Sequence, residues 1–139
     1  MRWEKGVYSV DTNPDLLSLD VIHGYLSRSY WAEGRPRETV AGSLQHSVNF
    51  GVYFLDQQVG FARAVTDFTT FYWLCDVFIL EEYRGRDLGK WLIECVTNHP
   101  DLQGLLGVLA TRDVQGLYEK YGFSVASDPR KFMWTRKPA

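Results

Sequence analysis

Cysteine is scarce in this chain: Cys75 and Cys95 are the only two, and they have neither metal-ligand nor disulfide-framework spacing. The expectation is two buried thiols in a reducing compartment, which makes the cytoplasm the default location. Histidine is scarce too. His23, His46 and His99 have no companion at ligand or triad spacing, so no metal site is expected. No apolar run is long enough to span a bilayer, and the opening M-R-W-E-K-G lacks the apolar core of a secretion signal. Charge of one sign is also missing: 15 Lys and Arg against 17 Asp and Glu leave a formal net charge of −2. A general nucleic-acid or membrane-surface binder needs a broad basic face, so neither partner is expected.

What remains is an ordinary globular composition, 45% hydrophobic and 15% aromatic over 139 residues. That length suits a single domain, 1–139, burying roughly 70% of its unfolded surface. No linker, repeat or low-complexity tract interrupts it. Trp3 to Val10 reads as a first strand, with only approximate alternation. Asp20 is a plausible N-cap for a helix lined by Val21, Ile22, Tyr25 and Leu26. The loop Tyr30 to Pro36 follows, and Pro36 suits the first position of a second helix reaching about Gln45. Ser47 to Leu55 alternates, with Val48, Phe50, Val52 and Phe54 on one side. After the turn Asp56-Gln57-Gln58, Val59 to Thr66 returns.

Phe71 to Leu80 is nearly continuous apolar, as expected of a central strand covered on both faces. A helix carrying Leu88, Leu92, Cys95 and Val96 on one stripe stops at His99-Pro100. Leu105 to Ala110 reads as a short buried strand. Asp113 to Tyr121 reads as a short helix capped by Asp113 and closed by Gly122. Phe123–Ala126 and Phe132–Thr135 are expected to pair as a closing hairpin. The order of elements predicts an α/β domain with a mixed sheet.

The chain is organised around Asp76 to Lys90, D-V-F-I-L-E-E-Y-R-G-R-D-L-G-K. An apolar strand runs through a glycine- and arginine-rich loop into a helix, which presents backbone N–H groups and the positive end of a helix dipole to phosphate. Arg84, Arg86 and Lys90 add positive charge, and the segment reads as a pyrophosphate-binding turn.

Arg84-Gly85-Arg86-Asp87-Leu88-Gly89 resembles the pyrophosphate loop Q/R-x-x-G-x-G/A of the GNAT superfamily, the Gcn5-related N-acetyltransferases. Leu117-Tyr118-Glu119-Lys120-Tyr121-Gly122-Phe123 resembles the family's second signature, L-Y-x-x-x-G-F. The two stand in the family's order, separated by one helix and one short strand, and element order agrees over almost the whole chain. The resemblance implies a GNAT-like fold, a central, mostly antiparallel mixed sheet flanked by about four helices. It implies acetyl transfer from the co-substrate acetyl-CoA to a primary amine of a small molecule or protein, by direct attack in a ternary complex.

The resemblance also distributes roles. Backbone groups of Val77, Phe78 and Ile79 would pair with the pantetheine arm. The amides of Gly85, Arg86, Asp87, Leu88, Gly89 and Lys90, beside Arg84, would hold the pyrophosphate. An N–H near Phe78 or Ile79 would face the thioester oxygen. Tyr118 matches the tyrosine that protonates the departing thiolate, and Tyr30 and Trp31 would wall the acceptor side. For the base that deprotonates the amine, Asp76 is the first candidate, a carboxylate in an apolar strand. Glu33 is the second and water the third. Neither cysteine has a histidine partner, so no covalent acyl-enzyme is expected.

Structural alternatives stand beside these roles. Gly85 and Gly89 would also suit a plain strand-to-helix turn. Tyr118, and more so Tyr121, would suit a core, as Tyr30 and Trp31 would suit packing. Asp76 would also serve as a structural acceptor for a backbone group or an arginine. Arg112 and Asp113 would orient the next helix or approach the cofactor, with capping the preferred role for Asp113. Asp87 departs from the family, which usually has glycine there. Its charge beside a phosphate would weaken binding, which keeps open a second reading, a CoA-binding regulatory module with little turnover. A homodimer is compatible with exposed strand edges.

Overall fold

In the computed structural model, which describes residues 1–136, the chain turns back on itself within its first dozen residues. Strands β1 (Arg2–Lys5) and β2 (Tyr8–Asp11) form an antiparallel hairpin, with Trp3 opposite Val10. The single strand expected over Trp3 to Val10 is therefore two. Gly6, at φ +61°, takes the left-handed conformation that reverses the chain, which also explains the broken alternation.

Helices α1 (Leu19–Leu26) and α2 (Arg37–Leu44) come next, joined by the aromatic loop. Ser18, not Asp20, caps α1: its hydroxyl accepts from the Val21 N–H at 3.3 Å. The buried Gln58 fixes that cap, its Oε1 accepting from the Ser18 N–H at 2.7 Å, while Asp20 pairs with Arg37. Pro36 is the N-cap of α2, one residue before the first helical position. Strands β3 (Val48–Phe54), β4 (Gln57–Thr66) and β5 (Phe71–Ile79) form an antiparallel meander. Helix α3 (Leu88–Thr97) then crosses to β6 (Leu106–Leu109), which runs parallel to β5. The short helix α4 (Gln115–Glu119) follows. The sheet order is β1-β2-β3-β4-β5-β6, a mixed and mostly antiparallel sheet as expected.

Each face of the sheet has its own core. Val10, Phe50, Val52, Leu74, Leu92, Ile93 and Val96 fill the α3 side; Ile22, Leu26, Val40, Phe61 and Phe78 fill the α1/α2 side. Leu92 is fully buried, so truncating it to Ala would cost about 2–5 kcal/mol. The two cores meet on β5, which changes sides part-way. Tyr72, Leu74, Val77 and Ile79 pack on the α3 side and Phe78 on the other. The pairing with β4 shows why: Arg63 stands opposite Cys75 but Phe61 opposite Phe78, so β5 carries one extra residue. Asp76, at φ +55°, marks this β-bulge.

Four further expectations are corrected. The first half of β5 is not covered on both faces: burial alternates, and Phe71 and Trp73 are exposed. Strand β6 is not buried but an edge, with Leu106 two-thirds exposed. No closing hairpin forms, because Asp128 caps a 3-10 turn over Pro129–Lys131 and leaves Phe132, Met133 and Trp134 exposed. Asp113 caps nothing either. The Thr111 hydroxyl accepts from the Val114 N–H at 3.4 Å, and α4 begins two residues later than Asp113.

Candidate active site

The parallel ladder between β5 and β6 ends at Leu74 opposite Leu109. Beyond it the two strands part, and residues 75–79 of β5 have a strand neighbour only on the β4 side. Backbone groups on this edge of β5 thus lie open from the bulge at Asp76 as far as Ile79, whose carbonyl is taken by Arg84. This is the splay from which the rest of the site is built.

At the far end of that row, a 3-10 turn (Glu81–Tyr83) delivers the chain to Gly85 at φ +81° and Asp87 at φ +59°. Two left-handed residues flanking Arg86 curl the loop so that its amides converge ahead of α3. The first in-helix bond runs from the Trp91 N–H to the Asp87 carbonyl, so the amides of Leu88, Gly89 and Lys90 belong to the unpaired first turn. Gly85 is required by its backbone angle. Gly89 is not: a Cβ there would meet only Ile79 Cγ1 at 3.9 Å. Neither the helix nor the packing demands glycine at that point, and its bareness leaves the amide row open to a close-approaching anion. The residues present therefore fit a pyrophosphate.

Each positive charge of the loop is tied to a partner within the protein. Arg84 is a brace, with Nε donating to the Ile79 carbonyl at 3.1 Å and Nη2 donating to the Tyr25 hydroxyl at 2.7 Å. Arg86 Nη1 donates to the Glu82 carbonyl at 2.8 Å, and its guanidinium lies over the Tyr83 ring. Lys90 pairs with Asp87 at 3.3 Å, and the Asp87 side chain is 83% exposed. Aspartate adopts the left-handed angle where the family usually has glycine, and its carboxylate points to solvent.

Asp76 is surrounded by donors. Trp31 Nε1 donates to its Oδ1 at 3.0 Å, Arg35 Nη1 to both oxygens at 3.2 and 3.0 Å, and Arg63 Nε to Oδ2 at 2.9 Å. Its side chain is 2% exposed. Each oxygen of this carboxylate already accepts two N–H bonds, so neither is free to accept a substrate proton. It ties the loop between α1 and α2 to β4 and β5. Sequence reasoning foresaw an arginine as a possible partner for Asp76 but named neither Arg35 nor Arg63. The signal was a carboxylate in an apolar strand, which demands a buried cation from somewhere in the fold.

The aromatic loop joins this cluster. Tyr30 meets the Trp31 ring edge-on at 5.1 Å, and Arg112 lies over the Tyr30 ring at 3.9 Å. Tyr118 is 7% exposed, and its ring packs against Phe123. Burial, with a smaller push from Tyr30, raises its phenol to about 12. Tyr121, half-buried, lines the core beside it. Glu33 is exposed and joins neither of the Asp76 ion pairs. Burial raises the Cys75 thiol to about 11 and the Cys95 thiol to about 12, so both are held protonated and un-nucleophilic. Among the described residues no group of three His, Cys, Asp or Glu could hold a metal ion. No helix described is long and apolar enough to cross a membrane.

Comparison with known proteins decides the family. The sequence model of the Acetyltransferase (GNAT) domain matches residues 46–125, which span β3 to the end of the second signature. The chain belongs to the GNAT acetyltransferases. A Gibberella zeae protein provisionally named an acetyltransferase is 32% identical, the match covering 86% of this chain and 80% of that protein. A crystal structure from Xanthomonas campestris pv. campestris, provisionally described as a GNAT-family acetyltransferase, is 42% identical. It superposes with a TM-score of 0.90 over 94% of each chain. An acetyltransferase of Clostridium acetobutylicum, described with acetyl-CoA, shares the fold at a TM-score of 0.64 and 14% identity, over 92% of this chain and 93% of that one. The GNAT fold expected from the two signatures is thus the fold observed.

Proposed function

We propose that this GNAT acetyltransferase moves the acetyl group of acetyl-CoA to a primary amine by direct attack in a ternary complex. The observation that carries the reading is the splay itself. A stretch of β5 open along one edge runs from the bulge at Asp76 toward a cradle of amides at the α3 N-terminus, and Tyr118 on α4 is buried within the influence of Tyr30 in the aromatic loop. The open edge of Val77, Phe78 and Ile79 offers the pantetheine arm a strand to pair with. The amides of Gly85 to Lys90, with the dipole of α3, offer the pyrophosphate its seat.

Acetyl-CoA supplies an activated thioester. The N–H of Phe78 or Ile79 would stabilise the charge growing on its carbonyl oxygen. With its phenol near 12, Tyr118 stays protonated throughout the neutral range, well above a thiol near 8.5. Full proton transfer is uphill, so its role is to donate a hydrogen bond to the leaving sulfur. Asp76, saturated by Trp31, Arg35 and Arg63, is a positioning residue that fixes the acceptor loop. The amine proton then leaves through water, with Glu33 the remaining side-chain candidate. The protein acts in the cytoplasm on this reading, and no nucleic acid or membrane takes part.

Calorimetric titration with acetyl-CoA tests the reading. Binding in the micromolar range, followed by CoA release when amines are screened, supports it. No binding at millimolar acetyl-CoA would sink it. One observation favours a second reading, a CoA-binding regulatory module: Asp87 puts a negative charge on the loop where the family has none. Binding without CoA release by any amine is the outcome that selects it.

A further inference from the structure

The Asp76 cluster does not balance its charge. One carboxylate, 2% exposed, faces two guanidiniums, those of Arg35 and Arg63, whose side chains are only 25% and 14% exposed. Arg63 uses Nε on Asp76 and Nη1 on the Ser47 hydroxyl at 3.0 Å. Arg35 uses Nη1 alone, so among the described residues its Nε and Nη2 meet no acceptor. Arg112 adds a third cation, stacked on Tyr30, and no carboxylate pairs with it among the described residues. Glu33, on the same loop, is exposed and pairs with none of the three. The unused donors of Arg35 are open to solvent, not sealed in the core, so an incoming anion can reach them beside a cluster that already carries one positive charge in excess. Its planar fork matches carboxylate and phosphate, and Arg112 on Tyr30 has the stacked geometry guanidiniums take at recognition sites.

These arginines lie on the α1/α2 side of β5, at the bulge, and are distinct from the amide cradle at the α3 N-terminus. They are not the phosphate seat of the cofactor. We infer that the acceptor amine carries an anionic group, a carboxylate or a phosphate monoester, held by Arg35 and Arg112 beside the Tyr30–Trp31 wall. This rests on the acetyl-transfer reading above and narrows it from any primary amine to amines of mixed charge. Polycationic acceptors are disfavoured by the same charges.

The test uses two matched pairs of acceptors at saturating acetyl-CoA, β-alanine against n-propylamine and O-phosphoethanolamine against ethanolamine, with kcat/KM read from CoA release. The anionic member of at least one pair should be preferred by about tenfold or more, the scale of a charge-assisted hydrogen bond. Which pair shows it separates carboxylate from phosphate. In Arg112→Gln, whose parent side chain holds no buried ion pair, the preference should fall severalfold through KM of the anionic acceptor. Turnover of the neutral amine, which offers the guanidinium no anion, should fall less than that of the anionic one. Arg35→Lys should retain part of the preference. Equal or better use of the neutral amines by the wild type, or a preference untouched by both variants, overturns the inference while leaving acetyl transfer standing. If no amine is turned over, thermal unfolding with CoA and the same four probes decides. The anionic probes must raise the wild-type midpoint more than that of Arg112→Gln, and no such shift refutes the inference. Failure of the acetyl-transfer reading shows separately, as absent acetyl-CoA binding.

Discussion

Asp76→Asn separates a positioning carboxylate from a catalytic base. Asparagine tolerates the left-handed φ of +55° about as well as aspartate, so the bulge itself is not strained by the change. What changes is the electrostatics. Arg35 and Arg63 lose their shared counter-charge, and the new NH2 group faces guanidinium N–H groups with which it cannot bond. Removing one partner of a buried ion pair costs about 3–5 kcal/mol, because the remaining charge stays in low dielectric. At about 3 °C per kcal/mol for a domain of this size, the melting midpoint should fall by roughly 9–15 °C. Chemical denaturation should show the same loss as a lower midpoint at unchanged slope. Kinetics at a temperature where the variant is fully folded should show KM for the amine raised more than kcat is lowered, since the acceptor loop is loosened. The opposite pattern would refute the reasoning. A variant as stable as the wild type whose kcat is down about 10²–10⁴-fold would make Asp76 the base.

The remaining predictions concern the other ends of the site and one histidine in the core. Asp87→Gly removes an exposed carboxylate from the phosphate loop. At about 4–8 Å in water-like dielectric that charge is worth roughly 0.5–1 kcal/mol against each phosphate charge. For one such charge the acetyl-CoA dissociation constant should fall about 2–5-fold at low salt and the gain should shrink at high salt; an unchanged or weaker affinity defeats the account. Tyr118→Phe should lower kcat about 10–150-fold, the value of a hydrogen bond to a charged atom, and the wild type should show no loss of activity from tyrosine ionisation below pH 10. A loss of four decades would mean that the tyrosine transfers a full proton. His99, buried against Trp3 and Phe50, has its pKa lowered by burial, and its Nδ1 accepts from the Asp101 N–H. The unfolded chain therefore binds the proton more readily. The neutral imidazole contributes stability that is present above about pH 6.5 and lost as pH falls from there toward the folded value. Thermal midpoints from pH 7.5 to 5.5 should decline more for the wild type than for His99→Gln; parallel declines would exclude the histidine.

The sequence was most legible where short-range chemistry dictates structure. The alternation of Val48, Phe50, Val52 and Phe54 does place those side chains in one core, and the apolar stripe of α3 packs as its period requires. Gly85 and Gly122 take the positive φ values that glycine is there to supply. Legibility failed where a distant partner decides. Gln58, forty residues away in the chain, selects Ser18 over Asp20 as the cap. The bulge in β5 left no periodic trace, because its strand is apolar on both sides and a one-residue slip does not disturb a continuous apolar run. The closing hairpin was expected on composition alone, and the local bond from the Arg130 N–H to Asp128 outcompeted it. At the site, the strand, glycine-rich turn and helix could be read from the local pattern, whereas Tyr118 was singled out only through the resemblance to the family's second signature. The arginines around Asp76 could not, since they come from the α1–α2 loop and β4 and meet only in the folded sheet.

The bulge has a consequence for which changes the gene can absorb. Strand β5 serves two cores in two reading phases: up to Leu74 the even positions face α3, and after Asp76 the odd ones do, with Phe78 sent to the opposite side. A conservative replacement in this strand alters one contact, whereas loss or gain of a single codon there would restore or double the phase change. Either would exchange Val77 and Ile79 with Phe78 between cores and carry the phosphate loop round with them. Length, more than the identity of any one side chain, is therefore what selection must hold fixed between Cys75 and Gly85.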